Sequence, residues 1–224
     1  MQTDLALLRV LQLASPGLPV GGFTYSQGLE WAVEAGWVAG TAGFCAWQRE
    51  QLHDTLGCLD WPVLARLYRA CKADDAQAFA YWTQFLLSNR ETAELRLEER
   101  QRGSALARLL DGWQLAQDIA WRDSLAQSQL AGMAWLGAHW SVPLRDLALG
   151  HGFAWLEGAV MAGVKLVPFG QQAAQTLLRD LSQDLPEVLD QALALGDDQL
   201  GGSLPLLAIA SARHETQYTR LFRS

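Results

Sequence analysis

Cysteine is scarce in this chain and forms no recognisable metal-binding or disulfide pattern. The 224 residues include three cysteines, Cys45, Cys58 and Cys71, and no two of them form a CxxC pair. An odd number of thiols without such a pair argues against a disulfide framework and against a structural zinc site. We therefore expect reduced thiols and a cytoplasmic protein.

Lysine is scarcer still, and the chain is acidic. Lys72 and Lys165 are the two lysines, and 17 basic against 24 acidic side chains give a net charge of −7. Binding to nucleic acid generally needs a basic face. The composition therefore predicts no nucleic-acid partner.

The sequence lacks a clean apolar run of the kind that crosses a membrane. The longest apolar tract, Leu147–Val167, is interrupted by His151, Glu157, Lys165 and several glycines. The apolar N-terminal stretch lacks a basic start and contains Arg9, unlike a signal peptide. We expect Leu147–Val167 to be a buried helix and predict no membrane partner.

Strand-like alternation of apolar and polar residues is also scarce, whereas good helix formers dominate. Proline, glycine and capping residues mark the helix ends. They predict, for example, a helix from Thr41 to about Leu56, another capped by Asp60, a single helix from Asp123 or Ser124 through Trp140, and a last one over Leu204–Ala212. No linker divides the chain, so we predict an all-α fold, a single compact domain over residues 1–224 with about nine or ten helices.

Catalytic motifs are missing. The sequence contains no GxSxG elbow, phosphate-binding GxxxxGK[ST] loop or HExxH pair, and its four histidines are far apart. The charged run from Glu91 to Arg102 is typical of a solvated helix face. This profile favours a protein that binds other proteins and is not an enzyme. A helical metal-binding or storage protein, using histidines and carboxylates from different helices, stays open as the alternative.

Three segments are candidates for a role beyond supporting the fold. Ala14–Val33 combines a Pro/Gly loop with a helix start, Val164–Gln175 places Lys165 at the end of an apolar helix, and Ser211–Ser224 ends the acidic chain with three arginines and two aromatic residues. Arginine and aromatic side chains dominate the energetics of protein interfaces. An ordinary turn, a cationic helix end and a solvated tail are the simpler interpretations of these segments.

Together the three segments resemble the UreF family of urease accessory proteins. The matching stretches are Leu11–Glu30, Val164–Gln175 (VKLVPFGQQAAQ) and Arg213–Ser224 (RHETQYTRLFRS), in family order over essentially the whole chain. The pattern departs at Gln172 and Ala174, where members usually carry threonine and glycine.

The resemblance implies an all-α homodimer that is not itself catalytic and has no cofactor. It implies binding to a UreD-type (also called UreH-type) protein and recruitment of the GTPase UreG to apo-urease. GTP hydrolysis would then be coupled to nickel insertion. A weak nickel contact through a histidine is left open, and no metal ligand is predicted.

The resemblance also implies that residues 213–224 form a partner-binding arm. Tyr218 and Phe222 would become buried against the UreD-type partner, with the arginines pairing to acids across the interface. Because we expect the preceding helix to end near Ala212, we predict that the arm makes few core contacts. The predicted partner-binding residues are Tyr25, Gln27, Glu30, Lys165, Arg213, His214, Glu215, Gln217, Tyr218, Arg220, Phe222 and Arg223.

Overall fold

Helices form the regular structure of the described chain. The structure, a computed structural model, describes residues 2–115, 119–202 and 204–223, and these contain no strand. The α-helices within these ranges are α1 Gln2–Ala14, α2 Leu29–Glu34, α3 Gly40–Gln51, α4 Trp61–Lys72, α5 Ala76–Ser88, α6 Ala93–Gly112, α7 Ile119–Gln127, α8 Gln129–His139, α9 Leu144–Leu166, α10 Gln171–Leu181, α11 Leu185–Ala194 and α12 Pro205–His214. The predicted all-α class is confirmed, and the helices pack into one compact domain.

The helix α9 is the centre of the packing. It contacts α1, α2, α3, α4, α8, α10 and α11. By length and composition alone α9 could cross a bilayer, and in this structure it packs against helices on several sides. Two hydrophobic clusters lie beside it, one around Trp61, Leu64 and Leu106 and a second around Phe44, Leu156 and Phe169.

Close contacts with aromatic rings explain some glycines of α9. A Cβ on Gly152 would lie 2.4 Å from Trp61 Cζ2, whereas a Cβ on Gly158 would meet nothing within 4 Å. Trp61 is fully buried, and its indole N–H donates to the Ala148 carbonyl at 3.0 Å, so the ring cannot easily give way. Only a residue without a side chain fits at position 152 on this helix.

We expect Gly152→Ala to lower the free energy of unfolding by about 1–3 kcal/mol, the usual cost of overpacking a core. The matched control is Gly158→Ala on the same helix, which should stabilise the protein by about 0.5–1 kcal/mol through helix propensity. Urea denaturation followed by circular dichroism measures both. Equal effects of the two substitutions would contradict the packing described for α9.

Several predicted helix boundaries are wrong. Asp60 does not cap a new helix, because a π-helical segment, Leu52–Asp60, joins α3 to α4 without interruption. The single helix predicted to run through Trp140 is two helices, α7 and α8. They are divided at Ser128, whose hydroxyl accepts the Ala131 N–H and caps α8. Two helices therefore stand where one was predicted.

The charged run of α6 is not a simple solvated face. Glu94, Glu98 and Glu99 are buried, with 8%, 4% and 9% of their surface exposed. The Arg102 guanidinium pairs with Glu98 at 2.8 Å, and that of Arg90 pairs with Glu99 at 2.9 Å. The prediction of a solvated face is wrong for these carboxylates, because cations from α6 itself and from its preceding loop pair with Glu98 and Glu99, and Arg220 of the C-terminal tail pairs with Glu94.

Candidate functional site

The three segments singled out in the sequence meet in the structure, through contacts of the C-terminal tail with the other two. Gly28, with φ +78°, precedes α2, and a Cβ there would lie 2.9 Å from the Ser211 backbone nitrogen. A side chain at position 28 would therefore push α12 away from α2. This close approach places Glu30, in the first turn of α2, beside the end of α12.

His214 occupies the centre of this region and is fully buried. Its Nδ1 lies 2.9 Å from Glu94 Oε2 and its Nε2 lies 3.3 Å from Glu30 Oε2. Glu94 comes from α6 and Glu30 from α2, so the ring links three helices. The prediction that the segment after Ala212 makes few core contacts is wrong, because α12 continues to His214 and this residue is part of the core.

Further polar contacts close the cluster around Glu94. The Arg220 guanidinium donates to Glu94 Oε1 at 3.0 Å, and the Glu215 carboxylate accepts the Glu94 backbone N–H at 3.3 Å. The hydroxyls of Thr92 and Ser211, both buried, lie 2.7 Å apart. The end of α12 and the start of the C-terminal tail are thereby fixed to the first turn of α6.

The last residues of the chain fold back onto α2. The Glu30 carboxylate accepts the backbone N–H groups of Leu221 at 2.6 Å and Phe222 at 2.9 Å. Phe222 is 6% exposed and belongs to the second hydrophobic cluster, and Lys165 Nζ lies 5.1 Å from the centre of its ring. Phe222 is therefore buried by this chain itself, without the partner that was expected to cover it.

Other side chains of the tail point to solvent. Tyr218 is fully exposed, Leu221 is 61% exposed, and Arg213 and Arg223 are also exposed. Gln217 donates to the Glu34 carboxylate at 2.5 Å. The tail thus has an inward side that holds it in place and an outward side rich in arginine and apolar surface.

Tyr25 and Gln27 connect the first of the three segments, Ala14–Val33, to α6. The Tyr25 hydroxyl donates to Gln101 Oε1 at 2.8 Å, and the Gln27 amide donates to Glu98 Oε1 at 3.1 Å. The indole N–H of Trp155, on α9, donates to Gln27 Oε1 at 3.1 Å. The Arg223 backbone N–H donates to the Thr24 carbonyl at 2.8 Å, so the tail also contacts this segment directly.

An open groove of about 500 Å³ lies between the loop before α2 and the helix α9. Its lining includes apolar residues from both walls, together with Tyr25, Gln27 and Lys165. The apolar part of the lining includes Leu18, Val20, Phe23, Trp155 and Met161.

A smaller cavity of about 70 Å³ shares Gln27 and Trp155 with the groove and is lined by buried charges. Burial raises the pKa of Asp60 to about 6, although Arg90 opposes the shift. Burial opposes the ionisation of Glu99, but Arg90 and the Ser128 hydroxyl bring its pKa below the usual value. Burial, assisted by Arg102, lowers the pKa of His151 to about 4. The titratable residues that line this cavity form a compact network inside the core.

Within the described residues, no group of three or more His, Cys, Asp and Glu side chains is placed to hold a metal ion. His214 and its two carboxylates do not form such a group, because the acids lie on opposite nitrogens of the ring. Sequence reasoning found His214 and Glu30 but missed Glu94, Thr92 and Ser211. Glu94 was hidden in a charged run, and nothing in the local pattern signals that α12 would pack on it.

The fold and the site define a helical scaffold whose C-terminal tail folds back over a buried cluster of polar side chains around His214. A model of the UreF family matches residues 38–182. Over the full length of both chains, the protein is 85% identical to the urease accessory protein UreF of Pseudomonas entomophila, 83% identical to that of Pseudomonas putida and 57% identical to that of Klebsiella pneumoniae. The chain belongs to the UreF family of urease accessory proteins, and its role lies in urease maturation.

Proposed function

We propose that this chain is a non-catalytic chaperone of urease maturation that binds a UreD/UreH-type protein through its C-terminal tail. The pair then recruits a UreG-type GTPase to apo-urease, where GTP hydrolysis is coupled to nickel insertion. The protein acts as a homodimer in the cytoplasm, and residues 213–224 are its partner-binding arm.

One observation carries this proposal. The three segments that resemble the family converge on one surface, where Glu30, Lys165 and Phe222 contact one another through the tail. The inward contacts hold the tail backbone in a defined shape while Tyr218 and Leu221 stay exposed. A tail ordered before binding loses less conformational entropy when a partner engages it.

The groove beside the tail supports the same assignment. Lys165 belongs to the groove lining and also lies over the Phe222 ring, so a partner seated on the tail would reach the groove. The apolar side chains at the groove and on the tail supply surface of the type that is buried at protein interfaces. We propose that Tyr25, Gln27 and Lys165 shape this part of the binding surface.

The test is co-purification with the UreD-type and UreG-type partners, followed by activation of apo-urease with nickel, bicarbonate and GTP. Each component is left out in turn. We expect the complete set to activate urease and the set without this chain to give little activity. Full activation without this chain, or failure to co-purify with the UreD-type protein, would overturn the proposal.

A further inference from the structure

The groove between the loop before α2 and the helix α9 is lined by a buried polar group without a partner. Gln48, on α3, lines this groove and is 2% exposed, yet none of the described residues donates a hydrogen bond to its Oε1. Buried polar side chains in folded proteins nearly always have a partner, and an unsatisfied one costs stability. The groove therefore offers an acceptor that an N–H donor from outside the chain can satisfy.

A second glutamine extends this polar strip. Gln51 follows Gln48 by three positions on α3, so the two side chains lie on the same side of the helix. Gln51 also lines the groove and is 3% exposed. A glutamine amide carries N–H donors and a carbonyl acceptor, which are the groups of a peptide backbone. The two amides are thus suited to bind a backbone that enters the groove.

The α9 side of the groove consists largely of small residues. Ala154, Gly158 and Ala162 recur every four positions and all line the groove, so they lie along one side of the helix. A Cβ on Gly158 would meet no atom of the described chain within 4 Å. The absence of a side chain at such a position lets the backbone of a bound molecule come close.

These features together favour an extended segment over a helix as the occupant. The backbone N–H and C=O groups of an α-helix bond to one another, whereas those of an extended segment are free to bond the two glutamines. Side chains of an extended segment alternate between two sides, so one set can cover Phe23 and Met161, which line the groove and are exposed. The volume of about 500 Å³ is that of a site for a ligand of drug size, and so suits a few residues.

The position and charge of the groove indicate where this segment comes from. Lys165 lines the groove and lies 5.1 Å from the centre of the Phe222 ring, so the groove is continuous with the tail surface. Lys165 is exposed and favours an acidic residue at the tail end of the segment. Glu157, which also lines the groove, is eight positions earlier on α9, about 12 Å along the axis, and favours a basic residue there.

We propose that this groove binds an extended peptide segment of the UreD-type partner, whose backbone hydrogen-bonds to Gln48 and Gln51. The inference rests on the function proposed above, since it assumes that this partner binds the tail. It adds two buried glutamines to the binding surface and gives them the role of reading a peptide backbone.

Gln48→Leu is the decisive variant. Leucine is close to glutamine in size but accepts no hydrogen bond, so we expect calorimetry to show affinity for the UreD-type partner lowered about five- to tenfold. The free chain loses an unsatisfied buried group, so its urea midpoint should stay the same or rise. Unchanged affinity would overturn the inference and leave the proposed function standing. Lower affinity with a lower midpoint would mark Gln48 as a structural residue and would also overturn it.

Gln77→Leu is the matched control. It makes the same chemical change on α5, where Gln77 is exposed and outside the groove, and should leave partner affinity unchanged. An equal loss in the two variants would contradict a specific role for Gln48. Failure of the unaltered chain to bind the partner would instead overturn the proposed function, and this inference with it.

Gly158→Leu tests the groove if Gln48→Leu does not fold. The new side chain would project into open space, so we expect the fold to be kept and partner affinity to fall about tenfold or more. A folded Gly158→Leu chain with unchanged affinity would show that no segment enters the groove. Sedimentation of the same variant without partner separates a further occupant, because loss of self-association with partner affinity kept would assign the groove to a second copy and overturn the proposal.

Amide hydrogen exchange of the UreD-type partner identifies the bound segment. We expect a stretch of a few residues to be protected by the unaltered chain and to lose about five- to tenfold of this protection with Gln48→Leu. A synthetic peptide of that stretch, bound to the full chain, should show the ¹³Cα shifts of extended backbone. Helical shifts, or no stretch whose protection depends on Gln48, would overturn the proposal.

Discussion

His214→Ala is expected to lower the free energy of unfolding by about 3–5 kcal/mol, because it takes a hydrogen-bond partner from two buried carboxyl groups, and a buried polar group left unsatisfied costs about 1–3 kcal/mol or more. The substitution leaves the carboxylates of Glu30 and Glu94 buried and facing an empty space. Their other donors, Arg220 and the tail backbone, cannot fill that space without moving. Guanidinium denaturation monitored by circular dichroism measures the loss.

Arg213→Ala is the matched control for this prediction. Arg213 precedes His214 on α12 but is exposed, so its removal should change stability by less than about 0.5 kcal/mol. If both variants have the same stability as the unaltered chain, the buried cluster does not hold α12 in place.

Tyr218→Ala is expected to weaken binding of the UreD-type partner by about 30-fold or more, which corresponds to the ~2 kcal/mol that defines an interface hot spot. Tyr218 is fully exposed and makes no contribution to the core. A partner can therefore bury the whole ring, and its loss should leave the melting temperature unchanged. Calorimetric titration of the partner into each variant gives the affinities.

Tyr81→Ala provides the comparison. Tyr81 is 60% exposed, but it lies on α5 outside the three segments that meet at the tail. We expect partner affinity to be unaffected by this change. An equal loss of affinity in both variants would show that the tail has no special part in binding.

The sequence was sufficient to predict the fold class, because helix-forming and helix-breaking residues act directly on the local backbone. Asp75 caps α5 and accepts the Ala78 N–H at 2.9 Å, which is the local role that an aspartate takes before a helix-forming run. Asp60 failed as a cap because burial beside Arg90 gives its carboxylate a different partner, which a local pattern cannot show. The boundary at Ser128 was missed because helix-forming residues surround it on both sides.

The site was predictable in its members more than in its arrangement. Glu30, Lys165 and Phe222 were singled out from separate segments, and the structure brings them together. Their contacts with the interior of the fold were not predicted, since a tail rich in arginine is expected to be exposed. His214 lies between acids that are 184 and 120 positions away in the chain. Contacts over such distances follow from helix packing and leave no local signal.

The most direct test of the central claim is the affinity of the UreD-type partner for a chain that ends at Thr216. This truncation keeps α12 and the contacts of His214 with Glu30 and Glu94, and it removes Tyr218 and Phe222. With circular dichroism showing retained helix, we predict that calorimetry will find affinity reduced by a factor on the order of 100 or more. A truncated chain that binds the partner as tightly as the full chain would contradict the account.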